Sequence, residues 1–249
     1  MVYLRVKRGR NMKNHRHGDT ITTIKSLPTE LLVEIIAKVA SHSLIDLCNM
    51  KLCCKEFLHV AEDDYVYHHV SMEKFPLVPH GWFQGKRESF FLKRCGESGN
   101  SEMLYREGMV QYFSSLKLKR GLENLKKATI EGHDEAKYVY CMILMSGKGE
   151  DERKQGFDLL CSLKGYTCVR RCRKRVKSFI KSLWLNNKPV FANHKFSLLC
   201  RSGTCDGGKL KNVSRSSWVN YEDGNDIDGL CDYCSADYEL GLFSKMFEG

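Results

Sequence analysis

The chain has 249 residues, 42% of them hydrophobic, enough to bury the core of one large domain or two modest ones. Its formal net charge of +10 is local: residues 1–20 contribute +5 and residues 164–181 contribute +8, leaving −3 for the other 211. A global basic field is thereby excluded, and two basic patches remain that suit nucleic acid, an acidic partner or a nuclear import receptor equally well.

The first twenty residues are polar and basic, and the longest uncharged apolar run, 138–145, has eight residues. Neither fits a secretory signal or a membrane span, so the chain is expected to be soluble and intracellular, in nucleus and/or cytoplasm, with no membrane partner. Twelve cysteines are spread over every region. In a reducing compartment they read as thiols or metal ligands rather than disulfides.

Residues 1–24 mix Asn, His, Gly and Arg/Lys with little periodicity and read as a flexible basic arm. Residues 25–70 carry three short helices. Pro28 fits a first helical position, and Leu31, Leu32, Ile35, Ile36 and Val39 recur at helical spacing on a broad stripe. Ser43 with Asp46 signals a second start, and a third helix runs from Cys53 through Phe57 to Ala61. Each is near or below the roughly 12–15 residues at which an isolated helix is marginal, so the three must pack on one another and on something else. Residues 71–87 hold two of the chain's four prolines and read as a linker.

Over residues 88–187 a repeat emerges. Gly99, Gly132 and Gly165 stand 33 residues apart, each followed two positions later by a residue able to cap a helix: Ser101, Asp134 and Thr167. Each glycine is expected to take the left-handed turn that ends one helix before the next begins. Gly121 and Gly156 repeat at an offset of 35, so "GKGED" adds a loop, and Gly108 inside a helix implies a close helix crossing. The basic run at 169–181 places Cys172, Val176, Phe179, Ile180 and Leu183 on one face; it reads as an amphipathic helix capping the array, its basic residues toward water.

Residues 188–249 lose helical periodicity and form a small Cys-rich module, irregular or β. Cys200 and Cys205 form one pair, and Cys231 and Cys234 a second, 25 residues later. Four thiolates in two tight turns suit tetrahedral zinc in a structural role, and a metal would compensate for a small core. His194 is a spare ligand and Cys168 with Cys172 a rival pair; a small hairpin of thiols without metal is the other reading.

"LPTEL" at 27–31, the leucines at 44 and 47, and "LCCKEF" at 52–57 resemble the F-box. The resemblance implies that Leu27, Pro28, Leu31, Ile35, Leu44, Leu47, Cys54 and Lys55 form or support a surface bound by the SKP-type adaptor of a cullin scaffold. Phe57 stands where the family has tryptophan, Cys53 where it has valine, and Ala40-Ser41 where Leu-Pro often ends the first helix. The repeats resemble Sel1-like repeats, relatives of the tetratricopeptide fold, through Tyr105, Gly108, Tyr112, Gly121, Leu125, Ala128, Gly132, Ala136 and Tyr138. The fold class is therefore mainly α, a three-helix box followed by α/α repeats and the Cys-rich module, as in plant F-box proteins that combine these parts.

No Walker loop, dinucleotide glycine fingerprint or nucleophile elbow is present, and no enzymatic activity is expected. The resemblance implies a substrate-receptor subunit of a ubiquitin ligase, holding a target protein that the sequence does not name. The alternative is a zinc-containing nuclear regulator whose basic helix meets nucleic acid or an acidic partner, with the three helices merely structural; nucleic acid is the less expected partner.

Overall fold

The computed structural model describes residues 27–78, 86–163, 165–185, 199–200 and 231–247. They are mainly helical, with no strand among the described residues.

Four short helices open the structure: α1 Thr29–His42, α2 Leu44–Cys53, α3 Lys55–Val60 and α4 Asp64–His69. Pro28 lies one residue before the first helical position, where its carbonyl accepts the Leu32 N–H. Ser43 caps α2 by accepting the Asp46 N–H at 3.1 Å, and the Cys54 sulfur caps α3 by accepting from Phe57. The fourth helix is one more than the sequence led us to expect. It starts at the Asp63 cap and buries Val66 and Tyr67 against α1.

The repeat region comprises α5 Lys86–Glu97, α6 Ser101–Met109, α7 Leu118–Ile130, α8 Asp134–Met145, α9 Glu150–Cys161 and α10 Gly165–Ser182. α6 packs on α7 and α8 on α9; α8 also meets α7 and α10. Gly99, Gly132 and Gly165 all have φ near +80°, the left-handed turns read from the sequence. The caps correct that reading by one position. Asn100 and His133, not Ser101 and Asp134, accept the N–H groups of Met103 and Ala136, because a carboxamide or an imidazole directly after the glycine already reaches the third helical N–H. Thr167 lies inside α10 rather than before it.

The helices meet where side chains are missing. A Cβ on Gly121 would lie 2.6 Å from the Tyr112 nitrogen, and one on Gly156 2.8 Å from the Cys141 carbonyl oxygen. A π-helical turn, Val110–Ser114, buries Tyr112 and Phe113 at this crossing. Of the residues carrying the repeat resemblance, Tyr105, Tyr112, Leu125, Ala128, Ala136 and Tyr138 are core, while Gly132 is exposed at its turn.

In the C-terminal module, residues 232–245 form a helix, α11 Asp232–Lys245, where irregular or β structure was expected; apart from 199–200 and 231–247, the module read at 188–249 lies outside the described residues. Ala236, Leu240, Phe243 and Phe247 sit in the repeat core, with Phe247 stacked on Phe113 and Phe243 edge-on to Tyr138. The buried Glu239 carboxylate accepts two hydrogen bonds from Arg173, both at 2.8 Å, and one from the Tyr138 hydroxyl at 2.7 Å.

Candidate functional site

The apolar stripe of α1 is wider than the core beneath it. Leu32, Ile36 and Ala40 point inward at intervals of four, which leaves Leu31 and Ile35, each one position earlier in its turn, outside, and Leu27 ahead of the helix is exposed as well. Leu31 is 46% and Ile35 40% exposed. α2 adds Ile45 and Leu52, seven residues apart and so on one side of that helix; Leu52 is 85% exposed, and α3 adds Leu58. Adjacent short helices thus each leave large apolar side chains exposed, a feature more common at protein interfaces than on free surfaces.

Of the residues singled out from the sequence, Leu27, Pro28, Leu31, Ile35 and Lys55 are exposed, and Leu44 and Cys54 are half-buried. Leu47, at 1% exposure, is core: it faces inward from α2 and lies beneath the exposed face. Ile45, Leu52 and Leu58 were missed; the available signal was an apolar residue lying off the buried stripe of its own helix.

Charged contacts hold this face rigid. Lys51 on α2 reaches the Glu62 carboxylate at 2.8 Å, and the Tyr67 hydroxyl donates to the same carboxylate at 2.6 Å. Burial would raise the Glu62 pKa, but the hydrogen bonds from Lys51 and Tyr67 outweigh it and hold the carboxyl below its usual range. Burial, then the anionic Glu62, push the Tyr67 phenol up.

The box is also tied to the repeats. The Asn100 amide, buried, donates to the backbone carbonyls of Tyr67, His68 and Val70 at 2.9 to 3.2 Å. Arg106 donates to the carbonyls of Met72, Phe75 and Pro76 and, through Nε, to Glu102 at 2.6 Å. His133 Nδ1 accepts from Ala136, so Nε2 carries the proton it donates to Glu102 at 2.7 Å. Burial would raise the Glu102 pKa; the His133 hydrogen bond and the Arg106 charge overcome it and bring the carboxyl down to about 2. The described part of the predicted linker is thus gripped along its backbone. Beside it opens a cleft of about 560 Å³ lined by His68, His69, Ser71, Arg106, Glu131 and Arg175, among others.

Of the four expected metal ligands, Cys200, Cys231 and Cys234 come together, their sulfurs all within 4.8 Å of one another. Cys205 and His194 lie outside the described residues. The rival Cys168 and Cys172 are buried on the core face of α10, where burial pushes the Cys172 thiol up and away from the thiolate a metal needs.

The basic helix buries its apolar face and turns Arg171, Lys174, Arg175, Lys177 and Lys181 outward, as expected; Arg171 pairs with Asp134 at 2.8 Å and Arg175 with Glu135 at 2.9 Å at the surface, while the half-buried Arg173 reaches inward to Glu239. Three of the guanidinium groups that would meet phosphate are engaged by carboxylates of the chain itself.

An F-box-like family model matches residues 24–73, and one for plant tetratrico peptide repeats matches residues 73–181. Three Arabidopsis thaliana proteins named as F-box proteins are similar to the chain. The first is 30% identical over 213 residues, covering 82% of this chain and 70% of its own length. The second is 28% identical over 134 residues, 54% of this chain and 80% of its own, and the third 23% identical over 158 residues, 61% and 46%. No solved structure matches.

Proposed function

The chain belongs to the F-box protein family, and from that premise we propose that it is a substrate-receptor subunit of an SKP–cullin–F-box ubiquitin ligase, acting in nucleus and/or cytoplasm. The observation that carries the reading is the exposed apolar stripe formed by Leu31 and Ile35 of α1 with Leu27 just before it, within the segment that matches the F-box. Each of these side chains is still 36–46% exposed, so covering it returns under about half of the roughly 1.5–3 kcal/mol of complete burial, and a stable contact draws on Ile45, Leu52 and Leu58 as well. The SKP-type adaptor is the partner of that face. The repeats, of the Sel1-like variety that the 33-residue period supports, and the C-terminal helix hold the target protein.

Such a subunit supplies proximity and orientation; the ubiquitin thioester is carried elsewhere in the complex. The tie between box and repeats favours this role, since a rigid receptor holds its target at a fixed distance and angle from the adaptor. Pairing of Arg171, Arg173 and Arg175 with carboxylates counts against the nucleic-acid reading.

The test is co-expression with an SKP-type adaptor and co-purification. Leu31→Asp with Ile35→Asp, both exposed, should abolish association while leaving the helical circular dichroism intact, and Leu27→Ala with Pro28→Ala should weaken it at least about tenfold. Association unchanged in the double aspartate variant would overturn the docking model.

A further inference from the structure

The three cysteines that meet at the start of α11 have the spacing of a metal site rather than of a disulfide. The Cys200 and Cys231 sulfurs are 3.8 Å apart, far beyond the roughly 2.05 Å of an S–S bond. Four thiolates at about 2.3 Å from a tetrahedral zinc ion lie about 3.8 Å from one another, which is that separation. The donors are sulfur alone. Among the described residues no carboxylate joins the cluster, and a thiol set of this kind suits a thiophilic, tetrahedral ion rather than the hard, oxygen-seeking calcium and magnesium.

The surroundings are built for thiolates. Cys231 is the N-cap of α11 and its sulfur accepts the Cys234 N–H at 3.4 Å, while Cys234 lies in the first turn, where the helix dipole favours negative charge. Cys200, 31 residues earlier, is fixed by a residue that the sequence reading did not single out. The Asp237 carboxylate, one turn further along α11, accepts the N–H groups of Leu199 at 2.9 Å and Cys200 at 3.1 Å. Its oxygens are thereby committed to backbone, so Asp237 is a positioning residue and not a ligand.

We propose that Cys200, Cys231 and Cys234 are ligands of one structural zinc ion, and that this ion fastens α11 into the groove of the helical repeats. α11 has 14 residues, a length at which a helix alone is marginal in water. It stays folded because Ala236, Leu240, Phe243 and Phe247 enter the repeat core and Glu239 pairs with Arg173. The ion clamps the first turn of the helix to Cys200, closing the chain between them before that docking begins, so metal binding and docking reinforce each other. This site is separate from the box, and adaptor association does not depend on it.

The full chain, purified without chelator, should contain one zinc per polypeptide by elemental analysis and be colourless. Cobalt(II) in its place should give the sulfur charge-transfer and intense visible bands of a tetrahedral thiolate site. Cys200→Ser and Cys234→Ser should each lose the metal, whereas Cys161→Ser, at an exposed cysteine of α9, should retain it. Asp237→Ala should still bind, about 10–100-fold more weakly. Stripping the zinc should raise hydrogen exchange across 232–247 roughly tenfold or more and leave α1 to α3 unchanged; that unchanged pattern also certifies that the serine variants are folded. A zinc-free chain, a brown iron–sulfur chromophore, zinc retained in both serine variants, or exchange in α11 indifferent to the metal would each overturn the proposal.

Discussion

Gly121 and Gly241 both sit inside helices, yet alanine should act with opposite sign at the two positions. Alanine gains about 1 kcal/mol over glycine in a helix interior. At Gly241 no atom of the described residues lies within 4 Å of the added methyl, so Gly241→Ala should stabilise by about 0.5–1 kcal/mol in urea unfolding. At Gly121 the methyl would meet the Tyr112 nitrogen at 2.6 Å and Cα at 2.9 Å. That neighbour is backbone, which cannot swing aside, and overpacking of this kind costs about 1–3 kcal/mol, enough to cancel or reverse the gain. Glu102 gives a second prediction at this scale. Its carboxyl titrates at about 2 in the folded chain, against 4.5 unfolded. A depressed carboxylate pKa stabilises above the unfolded value, so this contribution is whole above about pH 4.5 and fades as pH falls toward 2. Urea midpoints measured between pH 5 and pH 2.5 should therefore fall less steeply in Glu102→Gln than in the parent, with the difference narrowing toward the acid end.

At the scale of elements, Asn100 does two jobs that substitutions can separate. Its amide oxygen caps α6, and its amide nitrogen donates to three carbonyls at the end of α4. Asn100→Ala removes both, costing about 1 kcal/mol for the cap and about 1–3 kcal/mol for buried carbonyls left without a donor. Asn100→Asp keeps the cap but turns a carboxylate toward those carbonyls. It should therefore be the worse of the two in thermal unfolding near neutral pH, the reverse of what a cap alone would give. The helices around this junction were unevenly legible. The left-handed glycines were readable because only glycine takes φ near +80° at little cost, so a 33-residue recurrence of Gly followed by polar residues has few other meanings. α11 went unread although Ala236, Leu240, Phe243 and Phe247 follow helical spacing; Ser235, Asp237 and Gly241 between them resemble a loop, and the cysteines drew attention to turns. α4 is six residues long, too short for periodicity to register, and its existence depends on the Asp63 cap and on Tyr67 finding Glu62. The π turn at Val110–Ser114 has no sequence rule of its own; it follows from fitting Tyr112 over Gly121.

For the whole molecule, the boundary drawn at residue 71 or 88 from composition is not where the packing divides. The core of the box contains Leu92 and Cys95 from α5 and Met103 from α6, alongside Ile36, Leu47, Val66 and Tyr67. Short-range pattern could find both groups of helices, but not that one lends side chains to the other, because nothing local in a helix says which neighbour its apolar face will meet. The exposed apolar residues were legible for the same reason that the fold was: an aliphatic stripe too wide for one core stands out in a single turn-by-turn reading, whereas spacing alone does not separate the inward-facing Leu47 from its outward-facing neighbours. The shared core makes a prediction about folding units. A fragment of residues 25–78 ends before α5 and loses Leu92, Cys95 and Met103, each a buried side chain worth about 1.5–3 kcal/mol when fully covered, together with the Asn100 and Arg106 bonds to its last carbonyls. Against the 5–15 kcal/mol that holds an ordinary domain together, losses of this size leave no stable box. The fragment alone should show weak, non-cooperative unfolding by circular dichroism, and extension to residue 115 should restore a sharp transition. A cooperative, well-folded 25–78 fragment without a partner would mean that the box is independent of the repeats, and that the fixed geometry between adaptor face and repeat array has another source.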